Sequence, residues 1–225
     1  MTSRERVISG AKRVTVDRKP VLCWPFWSEE SDIRHFNHES LPEEVSEEPG
    51  ELTLVEITNP FGLAMQRGVD LNRELKDDPR SGNCLLGDFC DEAQRDIDLA
   101  MEIGADGIIY RLYGARAQHC TPMQYGGYYL ERDRELLDKV SDAVLNILFV
   151  VGEEDVYLDF VSDLPANVFG WDVKESKIEP NAVREMRTGA LLGEHPDCDI
   201  LLRPGTAFLS RVLESSLRTE DSYAI

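Results

Sequence analysis

The stretch Gly104–Tyr129, GADGIIYRLYGARAQHCTPMQYGGYY, holds the pattern that decides the fold. A turn of small residues, Gly104–Gly107, follows a segment with helical periodicity, and a short apolar strand runs from Ile108 to Leu112. A long polar loop comes next. Helix, tight turn, buried strand and polar loop form the repeating unit of parallel α/β proteins. Because such folds place ligands beyond the carboxyl ends of their strands, the loop after Leu112 marks a candidate site.

The same alternation extends along the chain and predicts an α/β fold, a (β/α) TIM-type barrel with mainly parallel strands. Strands are predicted at 21–24, 52–57, 108–112, 146–151, 168–171 and 190–192, with a seventh segment at 83–88. Helices are predicted at 3–13, 91–103, 128–144, 156–161, from Pro180, and at 204–217.

A closed barrel needs eight strands, so the strand count leaves two readings open. One strand is hidden in the acidic segment 28–50, where residues 31–36 are predicted as one or two helical turns, or the barrel is incomplete. An open edge would need covering, and a second copy of the chain, as a homodimer, is the candidate. The length of 225 residues fits a single domain over residues 1–225.

Composition limits the partners. The net charge of −19 repels phosphate backbones, so we expect no nucleic-acid partner. No run approaches the roughly 20 apolar residues of a membrane span, so we expect no membrane partner. The five cysteines are odd in number and contain no C-x-x-C pair, which favours a reducing compartment and a cytoplasmic protein. No glycine-rich nucleotide motif and no nucleophile elbow is present, so we expect no organic cofactor.

Strand alternation assigns the charged residues of two strands to the lumen. A charge facing the helix layer would lose its hydration, so Arg111 is predicted to point inward, with Ile109 below it and Tyr113 above it. The same alternation makes Glu56 the inward residue of its strand. An internal ion pair that only stabilises the barrel and a pair that binds a ligand are both open.

Polar residues after other strands complete a predicted ring at the same end of the barrel, although each also fits a simple helix cap or loop residue. The catalytic candidates are Glu56, Tyr113 and Asp172. The candidates for binding a substrate are Arg111, Arg116, Asn59, Gln124, Trp171, Glu194 and His195. Two further pairs, His119-Cys120 and His195-x-x-Cys198, match no recognised zinc spacing, so we expect no metal site.

Several segments, in order along most of the chain, resemble the uroporphyrinogen decarboxylase superfamily. They are residues 4–7 with 17–21, the NPFGLA of 59–64, the GADG of 104–107, the helix entry at 125–140, and residues 146–152 and 163–172. The resemblance implies a (β/α) barrel. It also implies kinship with tetrapyrrole decarboxylases, with zinc-dependent methyltransferases that serve corrinoid proteins, and with cobalamin-independent methionine synthase.

The chain departs from both known chemistries of that superfamily. An early arginine-containing motif grips carboxylates in the decarboxylases, whereas residues 24–27 here are WPFW. The methyltransferases carry a His-x-Cys zinc pair where this chain has Phe149 and Val151. The resemblance is therefore to a shortened, divergent member.

Three functions follow as hypotheses. The first is a decarboxylase-like protein acting on a carboxylated small molecule or a tetrapyrrole, with Arg111 or Arg116 holding the carboxylate. The second is a non-catalytic tetrapyrrole- or corrinoid-binding protein. The third is a methyltransferase-like protein that lacks the usual zinc ligands.

Overall fold

Eight parallel strands form the wall of a (β/α) barrel in the computed structural model, which describes residues 1–25, 28–37, 40–45 and 50–204. The strands are β1 Val21–Trp24, β2 Arg34–Phe36, β3 Thr53–Thr58, β4 Gly107–Leu112, β5 Ile147–Val150, β6 Val168–Trp171, β7 Ala190–Gly193 and β8 Ile200–Pro204. Their order in the sheet is β1-β8-β7-β6-β5-β4-β3-β2. The predicted TIM-type α/β fold is therefore confirmed.

Helices cover the outside of the wall and one end of it. They are α1 Ser3–Ala11, α2 Pro60–Gln66, α3 Leu71–Asp77, α4 Pro79–Glu102, α5 Pro122–Tyr128, α6 Leu130–Asp138, α7 Leu158–Val161, α8 Val173–Ser176 and α9 Pro180–Met186. Helix α1 lies at the amino-terminal ends of the strands, where Val7 joins the same buried cluster as Leu22, Ile33 and Leu52. This helix plugs the bottom of the lumen, so a ligand enters from the opposite end.

Alternating residues of the strands form two separate apolar layers. The inner layer fills the lumen with Leu54, Ile109, Ile147, Val168 and Leu192 among others. The outer layer packs against the helices through Val55, Ile108, Tyr110, Leu148 and Phe169. A strand covered on both faces is apolar along its whole length, which explains the continuous run of β5 and, apart from Arg111, that of β4.

The strand predictions fail at three places. Residues 34–36, predicted as a helical turn, form β2, so the hidden-strand reading is the correct one. Residues 200–204 form β8, which the sequence did not predict. The predicted strand 83–88 lies inside α4, because Asp78 caps that helix from the Arg80 and Ser81 amides and Pro79 occupies its first turn.

Smaller corrections concern helix ends. The helix predicted over 3–13 ends at Ala11, and Thr2 caps its start in a reciprocal box with Glu5. The long helix predicted over 128–144 is two helices, α5 and α6, which meet at Tyr129. Most of the predicted helix 204–217 lies outside the described residues, and Pro204 itself ends β8.

Backbone and side-chain groups of the β1–β2 connection bond to β1 and bring the two ends of the sheet together. The Asp32 amide donates to the Val21 carbonyl at 2.8 Å, and the Val21 amide donates to Asp32 Oδ2 at 2.9 Å. The Cys23 amide donates to Ser31 Oγ at 3.1 Å. The open-edge argument for a homodimer therefore does not apply at this seam, and a homodimer stays a prediction.

Candidate functional site at the barrel mouth

A cavity of about 650 Å³ opens at the carboxyl-terminal ends of the strands and is called the mouth cavity below. Its floor is apolar, with Trp24 from β1, Phe149 from β5 and Leu202 from β8. Three guanidiniums and four carboxylates line its wall: Arg111, Arg116, Arg203, Glu153, Asp172, Glu175 and Glu194. Its volume is in the range of sites that hold small organic ligands.

Arg111 lies at the inner end of this cavity with most of its hydrogen-bonding capacity unused. The guanidinium carbon lies 5.1 Å from the Trp24 ring centroid and 5.3 Å from that of Tyr113. Nη2 donates to the Tyr113 hydroxyl, and Nη1 lies 3.6 Å from Glu56 Oε2. Nε is buried without a hydrogen-bond partner among the described residues. A guanidinium with free donors in a fixed orientation suits a planar anion.

Glu56 is the buried partner of three side chains from three strands. Its Oε1 accepts from Trp24 Nε1 at 2.8 Å and lies 2.9 Å from His35 Nδ1, while Oε2 faces Arg111. The Glu56 side chain is only 7% exposed. Strand alternation places Glu56 and Arg111 in the lumen, and the structure shows the two side chains there.

His35 has a hydrogen-bond acceptor opposite each ring nitrogen. Nδ1 faces Glu56 Oε1, and Nε2 lies 2.9 Å from the Cys23 carbonyl oxygen. A neutral imidazole donates from one nitrogen only, whereas the imidazolium form donates from both. The geometry therefore matches a His35–Glu56 pair that holds a proton between them, beside the Arg111 guanidinium.

Arg111 also lines a second cavity of about 440 Å³, called the side cavity below, between the ends of β2 and β3 and helices α2 and α4. Glu56 and Thr58 form its inner wall. The remaining lining residues are Asn37, Leu63, Gln66, Arg67, Glu92 and Asp96. Since Arg111 lines both cavities, its side chain is the partition between them.

A buried polar cluster outside the strand wall fixes the backbone that carries Tyr113. Asn59 Oδ1 accepts from the Tyr113 amide at 3.1 Å, and Asn59 Nδ2 donates to the Tyr113 carbonyl at 3.1 Å and to Asp133 Oδ1 at 3.2 Å. Asp133 also accepts from the Tyr110 hydroxyl at 2.6 Å and from that of Tyr125 at 2.5 Å. Burial raises the pKa of Asp133 to about 6, against the opposing effect of these donors.

Three further predicted residues lie at the mouth cavity, each held by a neighbour. Arg116 Nε donates to Asp155 Oδ1 at 2.8 Å. Asp172 caps α8, accepting at Oδ1 from the Lys174 and Glu175 amides. Glu194 Oε2 lies 2.8 Å from Lys174 Nζ. Their roles toward a ligand stay predictions, as do those of Glu56, Arg111 and Tyr113.

Burial raises the pKa of Tyr113, although the Arg111 guanidinium opposes this effect.

Four predicted site residues, in addition to Tyr113, do not line either cavity and are held by other contacts, and their roles toward a ligand stay predictions. Trp171 faces the helix layer and donates from Nε1 to the Ile178 carbonyl. Asn59 is fully buried, and its side chain accepts hydrogen bonds from the Gly62 amide of α2 and from the Tyr113 amide. Gln124 closes a capping box with Thr121 at the start of α5. His195 accepts from the Asp197 amide in an outer turn.

The four soft metal-ligand candidates are not brought together. Cys120 is buried beside Asn72, and Cys198 packs in the outer apolar layer. In the described part of the chain, no three His, Cys, Asp or Glu side chains form a group that could hold a metal ion. Phe149 and Val151, at the positions of the resembling methyltransferases' zinc pair, offer only carbon atoms, so the residues do not fit that zinc site.

Sequence reasoning missed two members of the central cluster, His35 and Trp24. The signal for His35 was present, because Ile33 and His35 alternate with Arg34 and Phe36 in the manner of a strand. The acidic composition around this short strand masked the pattern. Trp24, the last residue of β1, stands where an inward side chain reaches the barrel mouth.

Fold and site together define a (β/α) eight-stranded barrel protein with a buried ion-pair cluster at the ligand-accessible mouth. No protein-family model matches the chain, and no curated protein matches it. Among solved structures, the chain is similar to a methyltransferase from Methanosarcina mazei, over 91% of this chain and 93% of that chain. The TM-score is 0.64 and the sequence identity is 12%, so the likeness shows a shared barrel fold. In the described residues, no helix has the length and apolar character needed to cross a bilayer.

Proposed function

We propose that the protein is an enzyme that binds a small carboxylated molecule at the mouth of the barrel and transfers a proton to or from it. One observation carries the proposal: the Arg111 guanidinium, with a buried unpartnered Nε, lies 3.6 Å from the carboxylate of the Glu56–His35 pair. Arg111 supplies donors for a carboxylate, and the pair supplies or accepts a proton next to it.

Decarboxylation is the reaction class that would use both parts. The bond to the carboxylate carbon breaks, carbon dioxide leaves, and the electron pair left behind takes a proton from the His35–Glu56 pair. This reading keeps our proposal of kinship with the uroporphyrinogen decarboxylase superfamily, and a tetrapyrrole carboxylate remains one substrate to test.

The first test is ligand binding. We expect small monocarboxylates such as acetate to bind the wild type by calorimetric titration and to lose at least about tenfold in affinity in Arg111→Ala, with a smaller loss in Arg111→Lys. Arg203→Gln removes the same charge elsewhere on the cavity wall and is the matched control. Equal losses in Arg111→Ala and Arg203→Gln would contradict specific carboxylate binding.

The second test separates binding from proton transfer. Carbon dioxide release from a panel of carboxylates, porphyrinogens included, is expected in the wild type. Glu56→Gln should abolish it while leaving acetate binding measurable, because Arg111 remains. Carboxylate binding without turnover, together with a visible absorption band on adding a tetrapyrrole, would favour the non-catalytic alternative.

The shared fold with a methyltransferase favours one second candidate, methyl transfer. An acceptor thiol or amine must lose a proton as it gains a methyl group, and the Glu56–His35 pair could accept that proton without a metal ligand from Phe149 or Val151. Loss of the methylcobalamin absorption spectrum in the presence of a thiol, absent in Glu56→Gln, would support this candidate. An unchanged spectrum with the wild type would remove it.

A further inference from the structure

We propose that the ligand of the mouth cavity carries a single carboxylate attached to an apolar ring, as in benzoate. The inference deepens the proposed function and rests on it for the carboxylate, which lies at Arg111. It adds the rest of the molecule, because the ring lies on the apolar floor of the mouth cavity and no second anionic group is bound. Acetate then fills only part of the site.

The floor of the mouth cavity consists of apolar side chains that the described residues leave partly uncovered. Trp24, Val151 and Leu202 line the cavity, pack against the inner apolar layer and are only partly buried. Phe149, which is 5% exposed, completes the floor. When an apolar group of a ligand covers such a surface and displaces water from it, binding is strengthened.

Two of the floor residues form an aromatic corner beside the carboxylate-binding group. The ring centroids of Trp24 and Phe149 lie 4.7 Å apart, and the two ring planes make an angle of 72°. The Arg111 guanidinium carbon lies 5.1 Å from the Trp24 ring centroid. A carboxylate bound to Arg111 therefore brings a directly attached ring within reach of this corner. Aromatic side chains hold a further ring well in offset or edge-to-face contact.

The direction of the ligand follows from the place of Arg111. Its side chain separates the mouth cavity from the side cavity, so a carboxylate that enters from the mouth is the innermost group of the ligand. The ring then lies on the mouth side of this partition. The cavity volume of about 650 Å³ exceeds what an acetate ion fills and accommodates a ring with substituents.

The other two guanidiniums on the wall are engaged by carboxylates of the chain itself. Arg116 Nε donates to Asp155 Oδ1 at 2.8 Å. Arg203 Nη1 lies 3.6 Å from Glu30 Oε2, and its side chain is 53% exposed, so water and salt screen its charge. Among the described residues that line the mouth cavity, Arg111 is the guanidinium with a buried, unpartnered N–H group. One carboxylate is therefore bound strongly, and a second finds no equivalent donor.

The test compares a series of acids on the wild-type protein by calorimetric titration. We expect benzoate to bind at least about tenfold more tightly than acetate, because its ring removes the apolar floor from water. Isophthalate, which adds a second carboxylate to the same ring, should bind at least about threefold more weakly than benzoate, since that group loses hydration without gaining a partner. Cyclohexanecarboxylate distinguishes two sources of the affinity. If it equals benzoate, any apolar ring suffices, and if it is weaker, the aromatic corner selects an aromatic ring.

A substitution on the floor tests the place of the ring. Leu202→Asn puts a polar amide of similar size there and should weaken benzoate binding at least about fivefold, while acetate affinity changes less than about twofold. Glu175→Gln removes a charge from the wall without changing the floor and is the matched control. It should shift the affinities of acetate and benzoate by the same factor. Retained acetate binding shows that each variant is folded.

The outcomes separate this inference from the proposed function. Acetate binding that depends on Arg111, with benzoate no tighter than acetate, would overturn the inference and leave the proposed function standing. Isophthalate binding as tight as that of benzoate would also overturn the inference alone, as would equal losses of acetate and benzoate affinity in Leu202→Asn. Benzoate affinity that Arg111→Ala leaves unchanged, or no binding of any acid, would overturn both.

Discussion

At the residue scale, the centre of the molecule is a set of side chains whose hydrogen bonds depend on one another. Glu56 Oε1 is shared by Trp24 and His35, and His35 in turn reaches the Cys23 carbonyl. A buried polar group that loses its partner costs about 1–3 kcal/mol. Removing one member therefore leaves the others without partners, whereas removing two together leaves fewer of them unpaired.

We expect His35→Phe to lower the free energy of unfolding by about 2–4 kcal/mol, because it leaves the Cys23 carbonyl and part of the Glu56 carboxylate unpaired. The double variant with Glu56→Leu should cost less than the sum of the two single variants, by about 1–2 kcal/mol. Urea unfolding of the four proteins measures this difference. Strict additivity would show that His35 and Glu56 do not interact.

At the element scale, Asp133 ties α6 to β4, to α5 and to the turn that begins α2. Because burial raises its pKa to about 6, the folded chain binds this proton more tightly than the unfolded chain, whose carboxyl has a pKa near 3.8. The contribution of Asp133 to stability is therefore greatest at low pH. It falls as pH rises from about 4 to about 6, by about 3 kcal/mol in total.

Asp133→Asn removes this titration while preserving the shape of the side chain. We expect the stability of the variant relative to wild type to improve with rising pH, with roughly half of the full change above pH 5. Urea unfolding of both proteins between pH 5 and 7.5, away from the isoelectric point near 4.5, measures this change in relative stability. If the stability difference between Asp133→Asn and wild type does not vary with pH, the raised pKa of Asp133 is contradicted.

Strand β4 depends on the glycine at its start. Gly107 has φ of +157°, and a Cβ built there would lie 1.9 Å from the Leu145 carbonyl oxygen. Since a backbone atom cannot move aside at low cost, Gly107→Ala should destabilise the protein by several kcal/mol. At Gly104 the added Cβ would meet no atom within 4 Å, so Gly104→Ala should lose only the stability that its positive φ costs an alanine. Thermal unfolding of the two variants compares them, and similar losses would contradict this explanation.

The accuracy of the strand predictions from sequence depended on the length of each strand and on the residues around it. Strands β1 and β6 match their predicted bounds, because unbroken apolar runs ended by Pro25 and Asp172 leave little choice. Strand β2 is only Arg34–Phe36, too short for its alternation to outweigh the polar residues around it. Arg111 and Glu56 were placed by alternation alone. The sequence did not show that Asn59 caps α2 or that Trp171, the last residue of β6, faces the helix layer.

At the scale of the whole molecule, Asp32 holds the seam between the ends of the sheet. It accepts from Arg6 Nη1 at 2.6 Å, from both Arg18 Nη atoms, from Ser3 and from the Val21 amide. Burial alone would raise the pKa of Asp32, but the bonds from Arg18 and Val21 outweigh it, and the pKa lies below its ordinary value. Its contribution to stability is therefore complete at neutral pH and is lost as pH falls through that lowered pKa.

We expect Asp32→Asn to cost about 3–5 kcal/mol at neutral pH, because the buried Arg6 guanidinium and the half-exposed Arg18 guanidinium lose the anion that they share. Asp17→Asn removes an exposed partner of the same Arg6 and should cost much less. Denaturant unfolding of both variants at pH 7 gives the comparison. A loss for Asp17→Asn equal to that for Asp32→Asn would show that the seam does not depend on Asp32.

The pairing of β1 with β8 sets the order in which the chain can fold. Val21 pairs with Leu201, so this contact joins residues near the two extremes of the described sequence. Bringing such distant positions together costs chain entropy before any stabilising contact forms. Contacts between residues far apart in sequence therefore slow folding. During synthesis, β1 emerges long before β8 and must wait for it before the ladder between the two strands forms. Leu22 thus stays exposed to non-native partners until β8 has emerged, and molecular chaperones would protect this strand during that interval.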